Sequence, residues 1–383
     1  MAKFIIRRIL RGVITIVIFQ TLLFGLIQIL PYDFTTFLVL QPESRRIARA
    51  ELGLDLPVWQ QYFKWLGDFF RLDLGRSYIA WPTPVIDVLA GRVTRTLLLF
   101  LTASILAYII GIWLGKLVVW QRGGWFEFNF TLVGVISYTS FAPFLGFAMI
   151  NIFGYYLRWF PYQRLIDHNV WYMATVTPEW VITRLVISGI ISMGLLFFLH
   201  WFSQRFRKKF TSWSIRIWGT LLIAFGVWGY WKLSGQGWLA ASILDHLTLP
   251  LVSVILLSFG ETMLLMRTTM LETIGENYIL LAKAKGLPSH IIRDRHAARN
   301  AFFPVLTRLV LNLPYVIIGS LAIELVFNWQ AMGVVVFQAI EFQDIPLLMG
   351  ILSLVGIMAL TGHIILDILQ IYLDPRLRYN EVN

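Results

Sequence analysis

The sequence predicts an all-α integral membrane protein, a polytopic helical bundle of about eight transmembrane helices with a helical hairpin outside the bilayer. Three observations predict this class. Hydrophobic residues make up 58% of the 383 residues, while charged residues make up 14%, against about 25% in soluble domains. The mean hydropathy is +0.71. Apolar runs of about 20 residues, the length that crosses a bilayer, recur along the chain.

The predicted spans lie near residues 9–30, 96–119, 128–157, 182–202, 215–233, 246–267, 308–328 and 347–372. The first follows a basic cluster, as a signal peptide does, but it lacks a small-residue cleavage site. We therefore expect residues 1–30 to be a retained anchor helix. Pro250 fits the first turn of its span, and Pro314 is expected to kink its own span.

Basic residues predict the orientation of the spans. Lys and Arg concentrate in the connections 120–128, 203–216 and 272–304 and in the tail 373–383, which the positive-inside rule assigns to the cytoplasm together with the N-terminus. The formal charge of +11 fits this distribution. Nucleic acid is not an expected partner, because no soluble basic face carries interleaved aromatic residues. Membrane lipid is the expected surrounding.

Residues 31–94 are predicted to form an extracytoplasmic loop with an amphipathic helix. In the run "LPVWQQYFKWLGDFF" large apolar residues recur at helical spacing. They are Trp59, Tyr62, Phe63, Leu66 and Phe70. We expect this helix to lie on the outer surface or to cap the bundle.

Residues 272–304, here named the basic hairpin, are the most polar part of the C-terminal half. The sequence predicts one helix that ends at a left-handed cap on Gly286, and a second that begins at Pro288 and stops before Pro304. Apolar contact surface is expected from Ile291, Ile292, Ala297 and Ala298. Composition leaves two interpretations open: a solvated loop that obeys the positive-inside rule, or a docking element for a soluble partner.

Several motifs resemble one family. "AKAKGL" followed by "RHAARNAFFP" resembles the cytoplasmic coupling motif of permease subunits in binding-protein-dependent ABC importers of the dipeptide/oligopeptide branch. "ELGLDLPVWQQYFKWLGDFFRLDLGRSY" (51–78) resembles that family's first outer loop, and "LPYDF" resembles the motif after its first span. "ELVFNWQAMG" (324–333) and "DPRLR" (374–378) resemble its later motifs.

The resemblance implies a transport subunit of a bacterial or archaeal plasma (inner) membrane rather than an enzyme. Its core would comprise residues 95–162 and 241–372. The implied partners are a second, homologous permease, one or two ATP-binding subunits and an extracytoplasmic solute-binding protein. ATP and Mg²⁺ would bind to the ATPases, and no cofactor to this chain. The implied ATPase-coupling residues are Ala282, Ala284, Lys285, Gly286, Leu287, Arg295, His296, Ala297, Arg299, Asn300, Ala301 and Pro304.

The chain also departs from the family pattern. Residues 163–240 are interpreted as an inserted region with two extra transmembrane helices. Leu280 and Leu281 replace a polar or small pair, so the first helix of the basic hairpin is expected to dock more hydrophobically. "FNWQAMG" lacks the usual Pro-Gly after Trp329, which leaves the shape of that turn open.

Two acidic residues in predicted spans are candidates for the translocation path. Glu261 and Glu324 would line it, or would instead be hydrogen-bonded groups inside the bundle. No catalytic site is predicted, and the histidines lack the spacing of a metal site. The implied solute is a di- or oligopeptide. The alternatives are an oligosaccharide or nickel moved by the same machinery, a secondary transporter, and a membrane enzyme.

Overall fold

The computed structural model describes residues 2–29, 55–162, 165–205 and 209–373. Within these ranges the regular elements are helices, apart from an isolated bridge between Arg76 and Pro84. The predicted fold class, an all-α polytopic membrane protein, is confirmed. The predicted tail, the "LPYDF" motif, the first part of the outer loop and the centre of the basic loop 203–216 lie outside the described residues.

Sixteen α-helices lie in the described ranges. They are α1 (Ala2–Gln28), α2 (Val58–Phe70), α3 (Val85–Thr96), α4 (Thr102–Trp120), α5 (Trp125–Thr139), α6 (Ala142–Met149), α7 (His168–Trp171) and α8 (Pro178–Ser203). The second half contains α9 (Lys209–Leu233), α10 (Gly237–Ile274), α11 (Asn277–Ala284), α12 (Ser289–Ile291), α13 (Ala298–Ile318), α14 (Leu321–Val326), α15 (Met332–Glu341) and α16 (Ile345–Leu373). π-helical turns at Leu97–Leu101, Ile150–Tyr156 and Ile292–Ala297 extend α3, α6 and α12.

Five helices of the described chain are long and apolar enough to cross a membrane, fewer than the eight predicted spans. They are Leu10–Gln28, Val85–Trp120, Pro178–Ser203, Gly237–Ile274 and Ile345–Asp367. A sixth crossing is available if α5 and α6 count as one span. The predicted span 215–233 coincides with α9, a 25-residue helix that is not among the five.

The predicted span 128–157 is not one helix. α5 and α6 meet at an angle of 107°. Ser140 and Phe141 are extended between them, and Pro143 stands in the first turn of α6. Proline has no N–H to donate, so a continuous helix would lose a hydrogen bond at that position. The span is therefore broken where the sequence suggested continuity.

Three further helix boundaries differ from expectation. The predicted span 308–328 ends at Ile318, because Gly319 adopts φ +72°, and α14 follows as a separate short helix. Pro250 lies inside α10, which begins thirteen residues earlier at Gly237, rather than in its first turn. Pro304 does not stop the second helix of the basic hairpin, which continues through it into α13.

The bundle has two ends. The chain passes from one to the other along successive helices, so that residues 121–124, 204–205 and 275–297 lie at one end, here called the hairpin end. The amphipathic helix α2 is confirmed and packs at the opposite end, where Thr21 and Tyr62 share a hydrogen bond of 2.8 Å. At the same end Asp344 accepts hydrogen bonds from Ser77 and from the backbone of Tyr78 and Ile79.

α8 and α9 form an antiparallel pair beside α10. Near the opposite end the guanidinium of Arg184 lies 3.6 Å above the Trp180 ring and donates to the Tyr230 hydroxyl at 2.8 Å. Between Arg184 and His200 the exposed large side chains of α8 are apolar. They are Ile187, Ile190, Ile191, Met193, Leu195, Leu196, Phe197 and Phe198. Such a surface suits hydrocarbon.

Candidate functional site

The basic hairpin starts in the last turn of α10, which ends at Ile274, and continues into α11. Its turn is closed at Gly286, which has φ +71°, and the N–H of Leu287 donates to the Ala282 carbonyl at 3.3 Å. A non-glycine residue pays a steric penalty in this left-handed region, so the predicted glycine cap is confirmed in its geometry. Pro288 then precedes α12 in an extended conformation.

A buried apolar cluster fixes the basic hairpin to the bundle. Ile279 and Ala282 of α11 pack with Ile292 of the following turn against Met266 and Met270 of α10. All five side chains are buried. The same buried cluster contains residues of α11 and of the start of α13. The basic hairpin and the adjoining membrane helices therefore form one packed unit.

Polar contacts fasten the same unit. Asn300 donates to the Tyr278 hydroxyl at 2.8 Å, which joins the two halves of the basic hairpin. Asp294 pairs with Arg293 at 2.7 Å and with Lys116 of α4 at 3.3 Å. The hydrogen bond from Arg293, followed by the charge of Lys116, lowers the pKa of Asp294 below its ordinary value. The basic hairpin is thus tied to the end of α4 by charge as well as by packing.

The twelve residues implied as ATPase contacts differ in exposure. Seven of them are exposed: Ala284, Lys285, Gly286, Arg295, Arg299, Asn300 and Pro304. Leu287 and His296 are half-buried, while Ala282, Ala297 and Ala301 are buried inside the chain. Buried alanines cannot touch a soluble partner. Their small side chains instead let the helices of the basic hairpin approach each other.

The expected apolar contact surface is also mostly internal. Ile292, Ala297 and Ala298 are buried, and Ile291 is half-buried. The most exposed large apolar residues of the basic hairpin are Leu280 and Leu281, at 55% and 57%, and Phe302 is 40% exposed. The two leucines that depart from the family pattern are therefore available to a partner.

Two residues of the basic hairpin's anchorage were missed from sequence. Lys116 lies more than 170 positions from Asp294 along the chain, and no local pattern pairs them. Tyr278 lies 22 positions before Asn300, and no local pattern indicates the hydrogen bond between them. A signal for Asp294 existed, because it is an acid within a run of basic residues.

Glu324 does not line an open path. Its side chain is fully buried, and its carboxylate accepts hydrogen bonds from the backbone N–H groups of Ala331, Gly333 and Val334 at 3.2, 2.9 and 2.9 Å. These N–H groups belong to the first turn of α15, which leaves them without partners inside the helix. The structure therefore favours the alternative interpretation, a hydrogen-bonded group inside the bundle, in which Glu324 caps α15.

Glu261 lies in an ion pair. The Nε and Nη2 atoms of Arg308 donate to its Oε1 atom at 3.0 and 2.8 Å, which joins the middle of α10 to α13. The side chains are 33% and 52% exposed. Beside them Asn312 donates to the Tyr108 hydroxyl at 3.4 Å. Sequence inspection found Glu261 and missed Arg308.

Among the described residues no group of three or more His, Asp or Glu side chains has the arrangement of a metal site.

Two family descriptions match the chain. Residues 107–379 match the binding-protein-dependent transport system inner membrane component, and residues 1–86 match the N-terminal membrane component of such systems. A putative peptide permease protein of Brucella suis biovar 1 is 25% identical over 386 residues, which cover 99% of each chain. A dipeptide transport system permease protein of Escherichia coli K12 is 27% identical over 385 residues, covering each chain completely. A putative peptide transport system permease protein of Brucella abortus is 28% identical over 383 residues.

Proposed function

Because the chain belongs to the family of binding-protein-dependent transport system inner membrane components, we propose that it is the permease subunit through which an ABC importer moves di- or oligopeptides. A second, homologous permease completes the path, and an extracytoplasmic solute-binding protein delivers the solute. The names of the full-length relatives from Escherichia coli and Brucella support peptides as the substrate class. ATP and Mg²⁺ bind to the partner ATPases, so this chain transports and does not hydrolyse.

The observation that carries the proposal is the combination of a firmly anchored interior and a basic exterior in the basic hairpin. Ile279 and Ala282 hold it to α10, while Lys285, Arg295 and Arg299 project from it. A solvated loop has no need of a buried core. A docking element needs one, because movement of an attached ATPase must reach the membrane helices. The exposed leucines Leu280 and Leu281 add apolar area to this docking surface.

The proposed orientation places the hairpin end in the cytoplasm. The connections at that end carry Arg122, Arg205, Lys283 and Lys285, as the positive-inside rule requires. The amphipathic helix α2 then lies on the outer side, where the solute-binding protein arrives. The N- and C-termini are cytoplasmic in this arrangement.

The proposal is tested by a pull-down of the tagged chain from its native membrane in mild detergent. We expect a second permease and one or two ATP-binding subunits to copurify. Arg299→Glu reverses an exposed charge of the docking surface and should reduce recovery of the ATPases at least tenfold. Arg122→Glu is the matched control, because Arg122 is exposed at the hairpin end but outside the basic hairpin. Equal recovery with both variants contradicts the docking surface, and recovery of the chain alone contradicts the importer.

A further inference from the structure

We propose that Glu261 and Arg308 form a binding site inside the translocation path for the oppositely charged ends of a short peptide. This inference rests on the proposed function and deepens it. The peptide's ammonium group binds to the Glu261 carboxylate, and its carboxylate binds to the Arg308 guanidinium.

The depth of the pair is the first argument. Glu261 lies thirteen residues before the end of α10 at Ile274, which is about 20 Å at the rise of an α-helix. Arg308 lies four residues beyond residue 304, where the basic hairpin ends, which is about 6 Å along α13. Both groups thus belong to membrane helices, with Glu261 deeper and Arg308 nearer to the hairpin end. Charged side chains at such depth are costly and are kept where they face water, a ligand or protein.

The exposure of the pair is the second argument. The ion pair between Arg267 and Glu127, which joins α10 to α5, is more enclosed, with side chains that are 29% and 14% exposed. Arg308 and Glu261 are 52% and 33% exposed. Around Arg308 the open face of α13 continues with Pro304 on one side and Tyr315 on the other. This face carries a charged guanidinium where the exposed surface of α8 is apolar, so we expect it to face water or protein rather than lipid.

The remaining bonding capacity of the pair is the third argument. Both hydrogen bonds from Arg308 end on the same oxygen, Oε1 of Glu261. Within the described residues, Oε2 of Glu261 and Nη1 of Arg308 make no hydrogen bond. A carboxylate accepts at both oxygens, and a guanidinium donates five N–H bonds in a planar fork. The pair can therefore bind one cationic and one anionic group while its own contact persists.

The charge of the pair decides the ligand class. A lone carboxylate would favour cations, and a lone guanidinium would favour anions, but a neutral pair with both signs exposed favours a zwitterion. A free peptide has this pattern, and its termini are at most about 7 Å apart in a dipeptide. Oligosaccharides have no such charges. Asn312 and Tyr108 place further hydrogen-bonding groups at the same depth.

The test uses the complete importer in liposomes, with its binding protein and ATP, and alanyl-alanine as the probe. We compare Glu261→Gln, Arg308→Gln and the double variant, with Arg267→Gln as the control from the enclosed pair. Uptake should fall at least tenfold in each single variant and remain as low in the double variant, while ATP hydrolysis stimulated by the binding protein persists. A purely structural pair behaves differently, because the double variant removes the uncompensated charge and should recover uptake.

Each outcome is decisive. The binding site is overturned if the double variant regains uptake, or if the single variants lose no more uptake than Arg267→Gln does. The proposed importer stands in either case. Absence of uptake of both alanyl-alanine and tetra-alanine by the unmodified complex overturns the proposed function and this inference with it. A second measurement omits the binding protein: the purified permease complex should bind alanyl-alanine at least tenfold more tightly than its N-acetylated, C-amidated analogue. Equal binding of the two peptides overturns the charged-end recognition.

Discussion

Gly260 of α10 lies directly against Gly134 of α5, so that a Cβ atom built on Gly260 would collide with the Gly134 carbonyl oxygen. Gly111 and Gly115 of α4 meet α10 in the same way, with Cβ positions 2.9 and 2.8 Å from the carbonyl oxygens of Phe259 and Met263. Small residues permit such close approach between membrane helices, where packing replaces the hydrophobic effect as the source of association. α10 is therefore the central helix against which α4 and α5 are aligned.

Gly260→Ala should destabilise the bundle. The added methyl group meets backbone rather than a movable side chain, and overpacking of this kind costs about 1–3 kcal/mol. Gly226→Ala is the control, because nothing lies within 4 Å of a Cβ at that position of α9 and alanine favours the helix. Thermal unfolding of the purified variants checks the prediction. Equal melting temperatures for the two variants would show that α5 and α10 can separate without cost.

Glu324→Gln should also destabilise the protein, because the amide has a single acceptor oxygen for three N–H groups of α15. Leaving a buried group without its partner costs about 1–3 kcal/mol. Glu341→Gln, at the exposed end of the same helix, is expected to be neutral. Thermal unfolding again provides the measurement. A variant of full stability but altered solute preference would return Glu324 to the translocation path.

Two substitutions of Gly286 test whether the turn of the basic hairpin needs its left-handed conformation and its backbone N–H group. Proline cannot adopt φ +71° and lacks the N–H that donates to the Lys283 carbonyl at 2.9 Å, so Gly286→Pro should abolish uptake while the chain still inserts. Asparagine tolerates the left-handed conformation, so Gly286→Asn should retain most of the activity. Uptake assays in whole cells measure both. Normal uptake with proline would mean that the turn does not transmit force.

Cysteine labelling tests the proposed orientation. The chain has no cysteine, so each introduced thiol is unique. Arg205→Cys, exposed after α8, should react only with reagents that reach the cytoplasm, whereas Trp59→Cys, exposed on α2, should react from outside. The reverse pattern would invert the whole topology.

Local signals predicted much of the fold. The helices α1, α2, α8 and α16 follow from long or amphipathic apolar patterns, and the turn of the basic hairpin follows from Gly286, because both depend on residues adjacent along the chain. The family motifs led to the basic hairpin and to the importer class. These features are encoded in spacing and residue type, which a single sequence displays.

Features that depend on distant contacts were not predictable in this way. Glu261 and Arg308 are 47 positions apart, and their pairing follows from the packing of α10 against α13. The alanines of the motif have the same sequence character whether they face a partner or the interior, so their burial was missed. The breaks at Ser140 and Gly319 fall within runs whose hydropathy continues across them.

The continuity of the chain from Ser289 to Ile318 has a mechanical consequence. Helical residues follow one another through the π turn and past Pro304 without a loop, over about 40 Å. Such an element passes axial displacement from its first turn to its last, and bending is expected at Pro304 and Pro314 inside it and at Gly286 and Gly319 beyond its ends. Movement of an ATPase bound near Arg299 would therefore be passed to the segment that contains Glu324, so that the two movements are coupled.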